Sequence, residues 1–313
     1  MKLDEKYRPR RIQDFTGLDY EKKVIAGYLE EDDFPHFIFH GPPGCGKTAM
    51  WKAIVEEYYG EDASSYHKPW IEINASDDRG IDTIRDLKTV ARYKIPGGKK
   101  RIIVLEEADG LTSAAQFALK AMMQLPFFER SVRFIFTLND LPALIEPIRS
   151  RCKAFYFPPL PDGELFKLAR RICDGEGIEI SDESLEAVIR YVRGDARKLI
   201  TNYLEDFRVM KKVTPADVKR LVSEPEIARA VCDVIRRQLP SKEAAFEAAC
   251  KVYSEVRRQK AINVGAFIEA LVDIAGKAII PAAAEVDFRL HVGCNEPIQM
   301  AYLFTEVVKC LAM

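Results

Sequence analysis

Short apolar runs alternate with longer segments of helical periodicity over the first half of the chain. Runs rich in β-branched and aromatic residues predict buried strands, and apolar residues three or four positions apart predict amphipathic helices. Strands that alternate with helices favour an α/β fold with a mostly parallel sheet covered on both faces. The predicted strands are Phe37 to Phe39, Trp70 to Asn74, Ile102 to Leu105 and Arg133 to Thr137, and the predicted helices cover about Ala49 to Tyr59, Ile81 to Tyr93 and Ser113 to Leu125.

The pattern becomes purely helical beyond the segment Pro158 to Pro161. One helical block ends near residue 222, and a second block, with Ala, Leu, Val and Ile at helical spacing, begins near Ile227. The Ser223-Glu224-Pro225 segment is the best candidate boundary between the two blocks. The sequence therefore predicts three domains, an α/β domain at 1–160, a small helical domain at 161–224 and an all-helical domain at 225–313.

Size and charge favour a soluble protein of several domains. The chain has 313 residues, which is more than one hydrophobic core usually organises. Lys and Arg number 47 against 48 Asp and Glu, so binding to nucleic acid would need a local basic surface. No apolar run approaches the roughly 20 residues that span a bilayer, and the N-terminal segment lacks the apolar core of a secretion signal. We therefore expect an intracellular, cytoplasmic protein without a membrane partner.

The seven cysteines and four histidines show no spacing that is typical of metal ligands or of a disulfide framework. No Cys-x-x-Cys pair occurs, so we expect reduced thiols with mostly structural roles. Neither zinc chemistry nor disulfide bonds are expected.

A glycine-rich segment between a predicted strand and a predicted helix is the main candidate site. It fits the G-x-x-x-x-G-K-[ST] phosphate loop at every fixed position. Its glycines let backbone N–H groups surround a polyphosphate, while Lys47 neutralises the β- and γ-phosphates and the Thr48 hydroxyl can bind Mg²⁺. The alternative is a Gly/Pro turn with a solvated lysine, which the strand, loop and helix context makes improbable. The segment consists of Gly41, Pro42, Pro43, Gly44, Cys45, Gly46, Lys47 and Thr48.

Two adjacent glutamates follow the predicted strand from Ile102 to Leu105. A phosphate-loop nucleoside triphosphatase has one carboxylate near the magnesium ion and a second near the attacking water, at the end of a neighbouring strand. Glu106 is predicted to serve the metal and Glu107 the water, because consecutive strand-end residues point in different directions. The alternative is a strand that ends on polar residues because it reaches the surface.

Seven motifs follow one another along the chain: EKYRPRRIQDFTG (5–17), the phosphate loop, INASDDRGID (73–82), VLEEAD (104–109), TLND (137–140), EPIRSRCKAFYFPPL (146–160) and GDARKLI (194–200). Their order resembles the small subunit of the replication factor C clamp loader, a member of the AAA+ ATPases, and the archaeal form is the most similar in size. The resemblance covers about residues 5 to 205. The C-terminal block agrees in length and helical character only.

The resemblance implies an ATPase that works within a five-membered ring. Small subunits assemble with a large subunit, and ATP binding and hydrolysis load a sliding clamp onto primer–template DNA. The three predicted domains would then be an AAA+ domain, a helical lid and an oligomerising collar. ATP and Mg²⁺ are the implied cofactors, and the implied partners are the large subunit, other small subunits, the clamp and DNA bound without sequence preference.

The matching motifs also imply roles for individual residues. The segment Tyr7, Arg8, Pro9 matches residues that line the adenine pocket. Asn139 matches a polar sensor near the γ-phosphate, and Arg197 matches a lid arginine that reaches the phosphates. Arg151 matches the arginine finger that completes the site of the adjacent subunit. The alternatives are a turn cap for Asn139, a solvated helix charge for Arg197 and a surface ion pair for Arg151.

The chain departs from the family pattern at two places. The family usually has Asp-Glu-Ala-Asp where this chain has Glu106 followed by Glu107, so the carboxylate near the metal is one methylene longer. Because Mg²⁺ requires near-octahedral geometry, slower hydrolysis or an altered metal dependence stays open. Residues 118–124 read ALKAMMQ, where the family tends to have consecutive arginines and a glutamate, and only Lys120 keeps a charge there.

Residues 79–101 form the candidate DNA surface, with eight basic and two acidic residues. Helical spacing predicts an inward stripe of Ile81, Ile84, Leu87 and Ala91 and a basic outer face. The resemblance implies DNA contacts by Arg79, Arg85, Lys88 and Arg92, and clamp contacts by Val90, Tyr93 and Ile95. A solvated helix face and ordinary core packing are the respective alternatives.

Three functions are compatible with these patterns. The leading one is a clamp-loader subunit that hydrolyses ATP. The second is a subunit that binds ATP and supplies Arg151 but hardly hydrolyses. The third is another AAA+ machine, such as a branch-migration motor, which would need a winged-helix module that the C-terminal block does not resemble.

Overall fold

The computed structural model describes residues 1–31, 34–60, 69–77, 79–91, 99–221, 224–239, 241–259, 264–291 and 294–312. The chain forms two compact units, residues 1–214 and residues 215–313. The division into domains at 1–160, 161–224 and 225–313 stays a prediction. Within the described ranges, every helix is too short or too polar to cross a bilayer.

One parallel five-stranded sheet lies in the first unit. Its strands are β1 (His36–His40), β2 (Ile71–Asn74), β3 (Arg101–Glu106), β4 (Val132–Leu138) and β5 (Cys152–Tyr156). They lie in the order β2-β3-β4-β1-β5. The four predicted strands agree with the structure to within one residue at each end. β5 was not predicted, because this edge strand exposes Ala154 and Tyr156 and therefore lacks a continuous apolar run.

Helices alternate with these strands, as the periodicity predicts. Three of them begin at capping side chains: Thr112 Oγ1 accepts a hydrogen bond from the N–H of Ala115, Ser181 Oγ accepts one from that of Ser184, and Asp195 Oδ1 accepts one from that of Lys198. The helix predicted to end at about Tyr93 ends at Val90, and Ala91 is its C-cap. The helices of this unit are α1 (Leu3–Lys6), α2 (Asp19–Glu30), α3 (Lys47–Tyr59), α4 (Ile81–Val90), α5 (Ser113–Met123), α6 (Pro126–Ser131), α7 (Glu146–Arg149), α8 (Asp162–Glu176), α9 (Asp182–Val192), α10 (Ala196–Lys198), a π-helical segment (Leu199–Leu204) and α11 (Glu205–Met210).

Apolar clusters lie on both faces of the sheet. Successive residues of β3 alternate between them: Ile103 and Leu105 pack with α4 and α5, whereas Ile102 and Val104 pack with α3. All side chains of β3 before Glu106 are buried, which accounts for its uninterrupted apolar run. Because the sheet is packed on both sides, the carboxyl ends of β1, β3 and β4 have fixed positions relative to one another.

The second unit is helical throughout its described part, as predicted. Its helices bury a single apolar cluster that includes Val231, Phe267 and Leu303. They are α12 (Pro215–Leu221), α13 (Glu224–Gln238), α14 (Lys242–Gln259), α15 (Val264–Ala275), α16 (Ile280–His291) and α17 (Glu296–Leu311).

Candidate active site

The phosphate-loop segment connects the carboxyl end of β1 with α3. Gly41 and Gly44 have φ angles of 140° and 76°, which residues with a side chain rarely adopt. A Cβ atom at Gly41 would lie 2.2 Å from the carbonyl oxygen of Phe157, and one at Gly44 would lie 1.9 Å from Oδ1 of Asp195. Only glycine fits these two positions, and the loop leads directly into the positive end of α3, as a phosphate cradle requires.

Lys47, the first residue of α3, points back into this loop. Its Nζ donates hydrogen bonds to the carbonyl oxygens of Gly41 (2.6 Å) and Pro42 (2.8 Å) and to Oδ1 of Asn139 (3.1 Å). Burial lowers the pKa of Lys47, and the nearby charge of Arg197 acts in the same direction. Because burial removes part of the hydration of the ammonium group, a phosphate is a favourable partner for it.

Thr48 and Glu106 place two hard oxygen atoms side by side. The Thr48 hydroxyl donates to Oε1 of Glu106 at 2.7 Å, and Nε1 of Trp51 donates to the same oxygen at 2.8 Å. Among the described residues, no group of three or more His, Cys, Asp and Glu could hold a metal ion alone. This pattern fits Mg²⁺, which nucleotide sites usually hold by one or two protein ligands together with phosphates and water.

Glu107 points away from Glu106, as predicted for consecutive strand-end residues. Its backbone is left-handed, with φ of 53°, a conformation that costs a residue with a side chain about 1–2 kcal/mol. The hydroxyl of Ser76, two residues after β2, donates a hydrogen bond to the carboxylate of Glu107. The N–H of Glu107 donates to Oγ1 of Thr137 at 3.4 Å. A local strain of this kind is typical of functional residues, although the role of Glu107 stays a prediction.

Asn139 follows β4 directly and lies beside the phosphate loop. Its side-chain oxygen accepts the hydrogen bond from Lys47, and its N–H donates to Oδ2 of Asp109 at 3.2 Å. The turn-cap alternative for Asn139 is not favoured by these contacts, because its side chain bonds to Lys47, 92 residues earlier in the chain.

The segment before α10 brings two further charges to the loop. Asp195 lies against Gly44, and its Oδ1 also accepts a hydrogen bond from the N–H of Lys198 at 2.8 Å, which caps the helix. Arg197 is exposed, and its charge reaches Lys47. Arg197 therefore lies in the neighbourhood of Lys47, and its contact with the phosphates stays a prediction.

The N-terminal segment packs against α3 and α8. Tyr7 donates to Oε1 of Glu176 at 3.0 Å, and Nη2 of Arg8 pairs with Oε1 of Glu56 at 2.8 Å. Nη1 of Arg8 is buried and has no hydrogen-bond partner within the described residues, so it is available to a ligand atom. Pro9 is half-buried.

A cleft of about 360 Å³ lies near this segment and next to the phosphate loop. The ring of Phe15 connects the two, because it would lie 3.6 Å from a Cβ atom at Gly46. Tyr7, Arg8 and Pro9 do not line this cleft, and their assignment to the adenine pocket stays a prediction. Its lining residues are Phe15, Thr16, Gly17, Asp19, Lys22, Glu164, Lys167, Leu168 and Arg171.

Arg151 precedes the amino-terminal end of β5, whereas the phosphate loop follows the carboxyl-terminal end of the neighbouring strand β1. The register pairs His36, the first residue of β1, with Cys152, whereas the loop follows His40 at the other end. At about 3.3 Å per residue, the two ends of β1, from His36 to His40, are roughly 13 Å apart. The exposed guanidinium of Arg151 donates from Nη1 to the carbonyl oxygen of Pro147 at 2.6 Å. Arg151 therefore lies at the opposite end of the strands from the nucleotide site of its own chain.

The basic face of α4 is largely exposed to solvent. Ile84, Leu87 and Ala91 are buried and Ile81 is half-buried, which confirms the predicted inward stripe. Arg79, Arg85 and Lys88 are exposed, although Arg79 donates from Nε to Ser76 O at 2.7 Å and Arg85 pairs with Asp82 at 2.9 Å. Arg101, counted in the basic segment, is buried and does not belong to this face. Arg92 lies outside the described residues.

Of the three predicted clamp contacts, only Val90 lies within the described residues. It is the last residue of α4, and 47% of its surface is exposed. Core packing, the alternative interpretation of Val90, does not hold. Tyr93 and Ile95 lie outside the described residues.

Sequence reasoning missed three residues that contact the site. Trp51 was not considered, although it lies three positions after Thr48 and hence on the same face of α3. Ser76 and Asp195 stand inside the motifs INASDDRGID and GDARKLI, so the motifs contained a signal for both. Their contacts with Glu107 and Gly44 join segments that the sequence does not bring together.

A phosphate loop after β1, an inner strand of a parallel sheet, with two carboxylates at the end of β3, defines the class of P-loop ATPases. Residues 37–160 match the model of the ATPase family associated with various cellular activities (AAA). The predictions of an AAA+ fold and of an ATPase are confirmed, and nucleotide binding follows from this class.

Curated relatives identify the family within this class. The replication factor C small subunit of Archaeoglobus fulgidus is 36% identical over 308 residues, covering 96% of this chain and 95% of the relative. Small subunit 1 of Pyrobaculum aerophilum is 34% identical over 97% of this chain and 93% of its own length. Small subunit 2 of that organism is 37% identical over 78% of this chain and 72% of its own length. The chain belongs to the replication factor C small subunit family and is a clamp-loader ATPase subunit, as predicted.

Solved structures agree on the fold. The RuvB Holliday junction branch migration motor of Thermotoga maritima has a TM-score of 0.57 and 18% identity. It covers 74% of this chain, and this chain covers 80% of it. At this identity the likeness concerns the fold alone.

Proposed function

We propose that this chain binds ATP together with Mg²⁺ at the carboxyl ends of β1, β3 and β4, and that its hydrolysis there drives the loading of a sliding clamp onto primer–template DNA. The large subunit and other small subunits complete the ring. The names of the Pyrobaculum relatives, small subunits 1 and 2, support the presence of more than one kind of small subunit. The complex would act on chromosomal DNA in the cytoplasm.

One observation supports this proposal most strongly. Lys47 is held by the phosphate loop and Asn139, while the neighbouring Thr48 is hydrogen-bonded to Glu106. A cation and two hard oxygen groups thus meet where parallel sheets of this class bind their ligands. Mg²⁺ held by Thr48 and Glu106 would neutralise charge on the phosphates.

The other residues act on the ligand and the water. Lys47 binds the β- and γ-phosphates, and Arg197 supplies a second positive charge from the lid. Glu107 orients the attacking water and accepts its proton, whereas Asn139 positions that water. The buried Nη1 of Arg8 offers a hydrogen bond to the adenine base. Arg151 serves the site of the adjacent subunit, because it lies at the opposite end of the strands from the nucleotide site of its own chain.

Replacing Lys47 by alanine tests the nucleotide site. A hydrogen bond to a charged group contributes about 1.5–3 kcal/mol, so the Kd for ATP should rise roughly 10- to 150-fold. Isothermal titration calorimetry with a slowly hydrolysed ATP analogue and Mg²⁺ measures this change. Lys309→Ala is a matched control, since Lys309 pairs with Glu306 on a helix of the second unit. An unchanged Kd for Lys47→Ala would refute the proposed site.

Replacing Arg79 by alanine tests the DNA surface in the assembled complex. Each phosphate contact contributes about 0.9 to the magnitude of the slope of log K against log salt concentration, so the loss of one contact should lower this magnitude by about 0.9. Fluorescence anisotropy of primed DNA over a salt series measures both affinity and slope. Arg190→Ala, on the exposed face of α9 where Arg190 pairs with Glu186, is the control. Equal slopes for the two variants would exclude Arg79 from the DNA surface.

A further inference from the structure

The tip of the Glu106 side chain is held by two donors from one face of α3. Thr48 Oγ1 and Trp51 Nε1 lie 2.7 Å and 2.8 Å from the same carboxylate oxygen, Oε1. The second oxygen, Oε2, has no hydrogen-bond donor within the described residues. Thr48 and Trp51 are three positions apart, so the helix presents both toward the end of β3.

The position of the Trp51 ring is fixed by its surroundings. Trp51 is 1% exposed, and its ring centroid lies 5.4 Å from that of Trp70 with the planes 60° apart. A buried side chain of this size has little freedom to rotate, so its N–H stays directed at Glu106. The indole N–H is a donor only and carries no charge, which means that it binds the carboxylate without competing for the metal.

This contact has a specific value for a glutamate. The glutamate side chain has one more rotatable bond than an aspartate, and Mg²⁺ tolerates little deviation from octahedral geometry. A second hydrogen-bond donor at Oε1 restricts rotation about this extra bond and leaves Oε2 without a donor from α3. The two donors therefore offset the consequence of the longer side chain at this position.

We propose that Trp51 is a positioning residue that holds Glu106 in the orientation required for Mg²⁺. The proposal rests on the magnesium site under Proposed function. It assigns to Trp51 a role in metal binding that is separate from its contribution to the apolar core around α3.

The test is a double-mutant cycle between Trp51→Phe and Glu106→Asp, in the full-length chain. The measured quantity is the gain in affinity for ATPγS on adding Mg²⁺, given by the Kd in EDTA divided by the Kd in Mg²⁺. Losing a residue that orients a metal ligand typically lowers metal affinity 10- to 100-fold, so Trp51→Phe should reduce the gain roughly tenfold. In the Glu106→Asp background, the shorter carboxylate does not reach the indole, and Trp51→Phe should change the gain less than about twofold.

A second measurement follows the indole N–H directly. The chain has two tryptophans, so its ¹H–¹⁵N spectrum contains two indole signals, which Trp51→Phe and Trp70→Phe assign. Glu106→Asp should shift the Trp51 signal by more than the Trp70 signal, without any nucleotide. Tyr28→Leu is the control for the gain in affinity, because Tyr28 packs against Phe37 in the same apolar cluster without donating to Glu106, and the gain should stay unchanged.

The outcomes separate this role from simple packing. The positioning role would be overturned if Trp51→Phe reduced the gain in affinity equally in the unmodified chain and in the Glu106→Asp chain, or if it reduced the gain in neither. If Trp51→Phe does not fold, benzothienylalanine at position 51 keeps the shape of the ring without the N–H, and the same results are expected from it. A chain whose ATPγS affinity does not respond to Mg²⁺ would instead overturn the magnesium site, and the positioning role with it.

Discussion

Replacing Arg151 by alanine is expected to lower DNA-stimulated ATP hydrolysis by the assembled complex roughly 10³- to 10⁵-fold per affected site, the range known for arginine fingers. Binding of ATP to the isolated chain should not change. Both expectations follow from the sheet, because Arg151 precedes β5 at one end of the strands and the phosphate loop follows β1 at the other end. A steady-state ATPase assay with primed DNA, together with calorimetry on the single chain, measures the two quantities.

Arg149→Ala is the matched control for this experiment. Arg149 lies two residues earlier in the chain and pairs with Glu146 at 2.8 Å within the same helix. Its loss removes a positive charge from the same surface without removing the proposed finger. Unchanged turnover of the Arg151→Ala complex, or an equal loss with Arg149→Ala, would refute the assignment. Weakened ATP binding by the isolated Arg151→Ala chain would place Arg151 in its own site instead.

Replacing Glu107 by glutamine should lower hydrolysis at the sites of this chain roughly 10²- to 10⁴-fold, the usual contribution of a general base. Glutamine has the same shape and can still accept the hydrogen bond from Ser76, but it cannot accept a proton from water. The Kd for ATP should stay within about twofold of the unmodified value, because Glu107 does not contact the phosphate loop. Single-turnover hydrolysis by the assembled complex separates the chemical step from binding.

The same variant decides between the two clamp-loader functions. Glu129→Gln, an exposed glutamate on α6, is the control and should leave turnover unchanged. If Glu107→Gln also leaves turnover unchanged, the chain binds ATP and supplies Arg151 without hydrolysing at its own site. A large loss shows that Glu106 is compatible with hydrolysis despite its longer side chain, which is the result that the contacts of Thr48 and Trp51 favour.

Local sequence patterns predicted the elements of the first unit well where burial follows a simple pattern along the element. β3 is buried on both faces, so its apolar run marked it clearly, and α4 has one buried and one basic face. β5 was not predicted because it is an edge strand and only partly buried. Its residues therefore show neither a continuous apolar run nor a regular alternation of apolar and polar residues. The end of a helix is likewise set by neighbouring segments that a short window of sequence does not contain.

The candidate site divides in the same way. The phosphate loop was predictable because its chemistry is local: eight consecutive residues carry the glycines, the lysine and the hydroxyl. Trp51 was not, because a tryptophan within a helix resembles ordinary core until a partner is placed beside its N–H. Burial of Arg101 was also missed, since a basic residue at the start of a strand suggests solvent exposure.

The sequence by itself determined the phosphate loop, the alternation of strands and helices, and the order of motifs that marks the family, because each depends on neighbouring residues. The tertiary structure alone decided which distant residues meet. Glu106 accepts hydrogen bonds from residues 58 and 55 positions earlier, and Arg151 lies across the sheet from Lys47. The reason is that crossovers between parallel strands bring remote strand ends together at one edge, and only the strand order and register fix which ends those are.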